Sequence, residues 1–423
     1  MATALLDIDE ALRRVLAQVR VAADPWPGET VAWTEAWGRV LAADVHADLD
    51  TPAFDRSAMD GIAIVAADAR EPGAIVAQLG EAPAGQPFAG RVIPGSCVRI
   101  MTGGVVPAGA DAVVPVERIE AVATADGRPA YRLLDACRPE NHIARRGCEV
   151  RRGDVVLERG TRLNGARVGV LATFGHVAVP VARRPTVAIL PTGNEIVPVG
   201  QTPGPGQVRD ANRHALTGLL QGAGVQVVQA AVAPDRKEDL AAAIAAAWQT
   251  ADVVVMSGGV SAGDYDLVAP ALADLGAVCH VHQIRIKPGK PFLFATLDQD
   301  GRRRFAFGLP GNPISSYVCA ALFVLPALAA LQGEAADAIA WRAVQVPSLE
   351  AVTAAGPRTE ILPARLVQVN GTTGASTRVE LLRVRGSADL AHFAAADWLV
   401  LRPASSPAAP AGTLVDVLTW PRP

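Results

Sequence analysis

The spacing of apolar positions changes three times along the chain. Ile8, Leu12, Val15, Leu16 and Val19 recur every three or four residues, which predicts an amphipathic helix and a helical start over residues 1–45. From 61 to 145 short β-type runs at 62–65, 74–78, 98–101 and 112–116 are broken by Gly and Pro, which predicts a mostly β insert. A helix is expected over 164–173. From 184 to 332 strands and helices alternate. The strands fall at 186–190, 225–232, 252–256, 281–286, 292–297 and 305–309, and the helices at 212–222, 237–248, 267–275 and 315–331. The last part, 333–423, carries short β runs at 365–368, 379–384, 398–401 and 414–418.

Strands alternating with helices imply a doubly wound, mostly parallel sheet covered on both faces. The fold class expected is therefore α/β with additional β domains. It divides into a helical or linker part (1–50 with 146–182), a mostly β insert (51–145), the α/β domain (183–332) and a C-terminal small β-barrel (333–423). Ligands of such sheets bind beyond the carboxyl ends of the strands.

Composition narrows the function. Half of the 423 residues are apolar and 19% are charged, enough to bury large cores. Basic and acidic residues number 39 and 42, for a net charge of −3, so a polycation built to coat nucleic acid is excluded. The cysteines (Cys97, Cys137, Cys148, Cys279, Cys319) lie far apart with no C-x-x-C pair, which fits reduced thiols. Asp7, Asp9 and Glu10 interrupt any signal-peptide pattern, and the apolar run 318–331 is shorter than the ~20 residues that cross a bilayer. A cytoplasmic location without membrane contact is expected. Lysine is rare: Lys237, Lys287 and Lys290 are the only three, and arginine supplies the rest. Two of them stand three apart in Lys287-Pro-Gly-Lys290-Pro, which reads as a site wanting compact ammonium charges or as a charged surface turn.

The predicted strands of the α/β region end in four loops: Pro191-Thr192-Gly193-Asn-Glu195, Ser257-Gly258-Gly259-Val-Ser-Ala-Gly-Asp264-Tyr-Asp266, Lys287-Pro-Gly-Lys290, and Leu309-Pro310-Gly-Asn312-Pro313. Small residues let backbone N–H groups approach an oxyanion, lysines add point charge, and Glu195, Asp264 and Asp266 offer hard oxygen ligands for Mg²⁺. The set reads as a site for a phosphorylated ligand and a divalent cation. Plainer readings stand beside it. Asp235 with Glu238 forms a helix capping box, Asp266 could cap the next helix, Ser257-Gly-Gly is a common tight turn, and Glu195 could be solvated surface. In the insert, Asp60 before Gly61 fits a turn, and Thr102 could meet a ligand or its own backbone. His280 and His282 alternate in a strand without a third metal ligand. Neither G-x-x-x-x-G-K-[ST] nor G-x-G-x-x-G occurs, which disfavours a P-loop or Rossmann site.

Six segments taken together resemble the molybdopterin molybdenumtransferases, the MoeA proteins and the E domain of gephyrin. They are Pro52-Ala-Phe-Asp-Arg-Ser-Ala-Met-Asp60-Gly, Arg99-Ile-Met-Thr102-Gly, Pro191-Thr-Gly-Asn-Glu195, Ser257 through Asp266, Ile286-Lys-Pro-Gly-Lys-Pro291 and Leu309-Pro-Gly-Asn-Pro313. They occur in family order and span nearly the whole chain. The resemblance implies an elongated four-part subunit, a homodimer, and Mg²⁺-dependent insertion of molybdate into adenylylated molybdopterin with release of AMP. By matching position, Asp60 and Thr102 would reach the active site from the insert, across the dimer. Glu195, Asp235 and Asp266, with Asp264 nearby, would serve the metal and the adenylyl phosphate. Lys287 and Lys290 would hold molybdate or phosphate oxygens. Thr192, Gly193, Ser257, Gly258, Gly259, Pro310, Asn312 and Pro313 would shape the substrate loops, and Arg358 and Ser387 would line the molybdate side. Transient contact with a molybdopterin adenylyltransferase and with apo-molybdoenzymes is implied as well. The sequence departs from the family pattern at Ala144 (usually arginine), Glu149 (usually aspartate), Ile62 (usually tyrosine) and Ala388, where a histidine is common after the serine. These departures keep a noncatalytic cofactor carrier or scaffold as the alternative. A molybdopterin adenylyltransferase shares the Ser-Gly-Gly-Val and Pro-Gly-Asn-Pro loops but is much shorter.

Overall fold

The computed structural model describes residues 5–22, 26–125, 127–229, 232–260, 266–335, 339, 341–371 and 374–419. The chain divides into two compact units: 1–43 with 158–168 and 178–423, and 44–157 with 169–177.

In the first unit, helix α1 (Ile8–Ala22) carries Asp9 and Glu10 in its first turn and Arg20 in its last, matching the helix dipole at both ends. Its stripe of Ile8, Ala11, Leu12, Val15 and Val19 is buried in the main core. The helix ends at Ala22, and Gly28–Ala32 pairs as a strand with Ala178–Ala182. The α/β region then runs β1 (Thr186–Pro191), α2 (Ala211–Gly222), β2 (Gln226–Gln229), α3 (Lys237–Thr250), β3 (Val253–Ser257), α4 (Val268–Asp274), β4 (Val278–His282), β5 (Leu293–Gln299) and β6 (Arg302–Leu309). The sheet order is β2-β1-β3-β6-β5-β4. The first four strands are parallel, and β5 runs antiparallel to β6 and β4. Alternate residues face opposite sides, as a pleated strand requires. Val187, Ile189, Val253, Val255, Phe305 and Phe307 join the core with α1 and α2, whereas Ala188, Leu190, Val254, Met256 and Ala306 pack with α3 and α4.

The strand expected over 281–286 is interrupted. Gln283 takes φ +65, and Ile286–Lys287 pairs instead with Thr359–Glu360 of the C-terminal sheet. The helix expected over 315–331 begins at Pro313, and its middle, Ala320–Val324, is a π-turn leading into Leu325–Leu331. Pro326 has no N–H for the Leu322 carbonyl, which gives the interruption a physical cause. This Pro313–Leu331 segment, here α5, has the length and mean hydropathy (2.1) of a membrane span, yet it is 89% buried inside the protein. Phe323 on it packs against Phe292 with tilted rings (centroids 4.5 Å apart), as Phe294 does against Phe307 (4.9 Å).

The C-terminal part has β7 (Arg342–Pro347), β8 (Thr359–Gly371), β9 (Gly374–Leu381), β10 (Trp398–Arg402) and β11 (Leu414–Thr419). Pairing runs β9-β8-β10-β11-β7, and a bridge from Ser348 to Val379 returns to β9. Val352, Ala364, Val379, Val400, Val415 and Val417 fill this ring.

The second unit is built on a six-stranded sheet in the order Ala112–Pro115, Gly61–Ile64, Ser96–Ile100, Ile75–Ala82, Pro129–Leu133, Ile119–Ala123. Ile62, Ile64, Cys97 and Val114 cover one face and Ala63, Val98, Ile100 and Val113 the other. Burial pushes the Cys97 thiol up to about 12, so it stays protonated and behaves as a small apolar side chain.

Replacing a ring within this aromatic cluster tests the packing. Phe307→Ala should lower unfolding free energy by about 3–5 kcal/mol in urea titrations; a loss under about 1 kcal/mol would contradict it.

Candidate active site

Three parallel strands stop in one row. Pro191 of β1 pairs with Ser257 of β3, and Ser257 with Leu309 of β6. The loops that follow are laced by backbone bonds: Thr192 N–H to Ser257 O (2.9 Å) and Gly258 N–H to Leu309 O (3.0 Å). Gly258 has φ +105, and a Cβ there would lie 2.5 Å from Thr192 O, so only glycine fits. Asn212, in the first turn of α2, ties two loops together. Its Nδ2 donates to Ser257 Oγ (2.6 Å) and to Gly311 O (2.7 Å). Nothing in the sequence marks Asn212, since its role comes from where α2 docks.

These loops line a cavity of ≈ 1120 Å³ that includes Thr192, Gly193, Glu195, Asp235, Ser257, Gly258, Gly259, Pro310, Asn312 and Pro313. Two of the expected carboxylates, Glu195 and Asp235, therefore share one chamber. Asp235 does not cap α3: the N-cap residue is Arg236, without a side-chain cap. The capping-box reading is corrected here. The Asp235 carboxylate accepts from Asn194 N–H (3.1 Å), and its own N–H donates to Asn194 Oδ1 (3.3 Å), so the aspartate is turned toward the β1 loop.

A second cavity, of ≈ 690 Å³, is lined by Lys287, Lys290, Asn312, Arg358, Glu360, Arg385 and Ser387. Four cations face one carboxylate in this lining. Lys287 Nζ donates to Glu360 Oε1 (3.1 Å), whose side chain is only 12% exposed. Glu360 was not foreseen; it arrives because Ile286–Lys287 pairs with Thr359–Glu360. Lys290 is half-buried, and neither it nor Arg358 has a carboxylate partner among the described residues. Arg358 Nη1 donates only to Ile286 O (3.4 Å). Asn312 Nδ2 donates to Ser387 Oγ (2.9 Å), and Ile314 N–H to Ser387 O (3.0 Å), fixing the wall between the chambers. Pro291, Asn312 and Ser315 border both. The four rim loops thus make two adjoining chambers where a single pocket was expected.

The remaining candidates are placed differently. Asp266 lines neither cavity. Its Oδ2 lies 3.0 Å from His282 Nε2, and its Oδ1 accepts from Ala269 N–H (3.4 Å) at the start of α4. His282 is a partner that its sequence spacing did not reveal, and His280 meets Thr296 Oγ1 instead (2.8 Å). Asp264 lies outside the described residues. Among the described residues no three His, Cys, Asp or Glu side chains converge on a cation position. In the second unit, Asp60 Oδ1 accepts from Thr102 N–H (2.6 Å) and Thr102 Oγ1–H (2.7 Å). These bonds, the backbone one first, hold the exposed Asp60 carboxyl below the usual range.

The comparisons with known proteins follow the same order along the chain. Residues 6–175 match the MoeA N-terminal region (domain I and II), residues 188–330 a probable molybdopterin binding domain, and residues 345–420 the MoeA C-terminal region (domain IV). A molybdopterin molybdenumtransferase of Haemophilus influenzae is 36% identical over 332 residues, covering 78% of this chain and 78% of that protein. This chain belongs to the molybdopterin molybdenumtransferase family. A relative of the same description from Staphylococcus epidermidis is 30% identical over 98% of this chain and 95% of its own. Among solved structures, a molybdopterin biosynthesis MoeA protein from Pyrococcus horikoshii superposes with TM-score 0.79 at 26% identity, covering 99% of this chain and all of that one.

The departures from the molybdenumtransferase pattern have ordinary surroundings. Ile62 is fully buried in the insert's sheet. Glu149 accepts from Arg56 Nη2 (2.6 Å). Ser387, without its usual histidine neighbour, is held by Asn312.

Two outcomes check this geometry. Asn212→Ala removes the 2.6 Å donor of the 2%-exposed Ser257 hydroxyl and leaves it only the longer Ser316 Oγ contact (3.5 Å), so urea unfolding should show a loss of about 1–2 kcal/mol. Asp60, with its lowered folded-state pKa, contributes stability above its unfolded pKa and loses it as pH falls through the folded value. Asp60→Asn should therefore flatten the decline of thermal midpoint between about pH 5 and about pH 2; an unchanged decline would contradict the Thr102 bonds.

Proposed function

We propose that this chain inserts molybdate into adenylylated molybdopterin, releasing AMP and forming the molybdenum cofactor. One observation carries the reading: a carboxylate-bearing chamber and a strongly cationic chamber share the wall formed by Pro291, Asn312 and Ser315. The reaction joins two anions, a molybdate dianion and an adenylyl phosphate ester. Their repulsion has to be offset, and fixed charges aimed at them do so without reorganising.

The cationic chamber takes molybdate. Lys290 and Arg358 have no carboxylate partner among the described residues, Ser387 offers a hydroxyl, and Glu360 positions Lys287 beside them. The larger chamber takes the adenylyl end, with Gly258 and Gly259 allowing close backbone approach and α5 beginning at Pro313. Glu195 and Asp235 fit a Mg²⁺ ion, which binds through one or two carboxylates plus substrate phosphates. When bound, Mg²⁺ would neutralise phosphate charge and polarise the phosphorus–oxygen bond. The protein's own part is mainly orientation and charge, because displacement at phosphorus asks little covalent chemistry of the enzyme. Substrate recognition by Asp60 and Thr102, homodimer assembly, a cytoplasmic location, and hand-over from a molybdopterin adenylyltransferase to apo-molybdoenzymes belong to the same proposal.

AMP release from adenylylated molybdopterin, molybdate and Mg²⁺ tests it. Lys290→Ala should lower molybdate-dependent kcat roughly a hundredfold while the thermal midpoint stays within about 2 °C. Unchanged turnover in that variant would discard the anion site. Substrate binding without AMP release in the parent protein would favour the carrier reading.

A further inference from the structure

A third cavity, of ≈ 610 Å³, lies away from both chambers and plays no part in the proposed reaction. Part of its wall is apolar: Leu163, Val225, Ala321, Leu325 and Ile339 contribute to it. Ala321 and Leu325 belong to the π-turn and the following turn of α5, the helix whose first residues border the reaction chambers. At 1.5 Å per residue the stretch from Ala321 to Ala329 lies about 12 to 24 Å along the axis from Pro313. A π-turn in a long helix is frequently found at functional sites.

The polar groups of this cavity divide into satisfied and unsatisfied. Arg162 spans Glu334 with two bonds (Nε to Oε1, 3.0 Å; Nη2 to Oε2, 2.9 Å) and gives Nη1 to Gly38 O (2.8 Å). Glu334 is 4% exposed at its side chain, so this pair is closed and neutral. The unsatisfied groups are donors. Trp341 Nε1 is buried without an acceptor among the described residues. Arg184 has no carboxylate partner among the described residues, and Arg167 gives Nη1 only to Arg162 O. A cavity of this volume, partly apolar, lined by one buried donor without a described partner and by two exposed arginines that lack a carboxylate among the described residues, has the make-up of a small-molecule site. The ligand it fits has an apolar ring-sized body and one acidic group.

We propose that this cavity binds a small amphipathic organic anion, its acidic group set against Arg167 and Arg184 and an oxygen accepting from Trp341 Nε1–H. The probe is 8-anilino-1-naphthalenesulfonate, an apolar ring system with one sulfonate, titrated by fluorescence into the full chain. Saturable binding at one site per chain is expected. Arg184→Glu, at an exposed position, should weaken it roughly tenfold, and Trp341→Phe, which keeps the ring and removes the N–H, about fivefold. Excess AMP and molybdate should leave it in place. Affinity unchanged in both variants, absence of saturation, or displacement by AMP or molybdate would each overturn the proposal.

Discussion

Parallel strands in register decide where everything else at the rim can be. Pro191, Ser257 and Leu309 sit side by side, so three loops leave the sheet from one line. A parallel ladder allows this because neighbouring strands point the same way and their carboxyl ends coincide. The core on both faces holds the register: Ala188 and Leu190 lie on one side, Val187 and Ile189 on the other, and a slip of one residue would exchange them. Asn212 then stitches two of the loops at Ser257 and Gly311. The fourth loop is fixed from elsewhere, since Ile286–Lys287 is a strand of the C-terminal sheet.

That division of labour explains the two chambers. The α/β loops supply backbone and carboxylates, and the join to the C-terminal domain supplies Arg358, Glu360, Arg385 and Ser387 around the lysines. Four cations against one acid would repel each other in an empty chamber. Glu360 relieves part of this at Lys287 and leaves Lys290 and Arg358 without a carboxylate among the described residues. An anion arriving there replaces an unfavourable arrangement with a balanced one, which is the charge logic that the proposed reaction requires. The shared wall is rigid: Asn312 is bonded to Ser387, and Ser316 N–H to Asn312 O (2.9 Å).

Much of the α/β region was legible because its central strands are continuous apolar runs and its first helix ends at Gly222. The rarity of lysine pointed to Lys287 and Lys290 without any structural knowledge. What was not legible came from long-range docking. The β run at 281–286 carries no local sign that Gln283 turns and that the next two residues join another sheet. Asn212 and Glu360 look like ordinary polar positions until α2 and β8 are in place. Asp235 followed by Glu238 fits a capping box on paper, yet Asn194 competes for the same carboxylate and prevails. Asp266 matched the family motif, but its nearest partners are His282 and a helix N–H.

Locating the metal of the substrate tests the central claim most directly. In crystals soaked with molybdate and AMP, anomalous scattering at the molybdenum edge should give its strongest peak in the Lys290–Arg358–Ser387 chamber, with the AMP phosphate beyond Asn312 beside Asp235. A molybdenum peak in the Glu195 chamber, or on a surface remote from both lysines, would contradict the two-chamber arrangement.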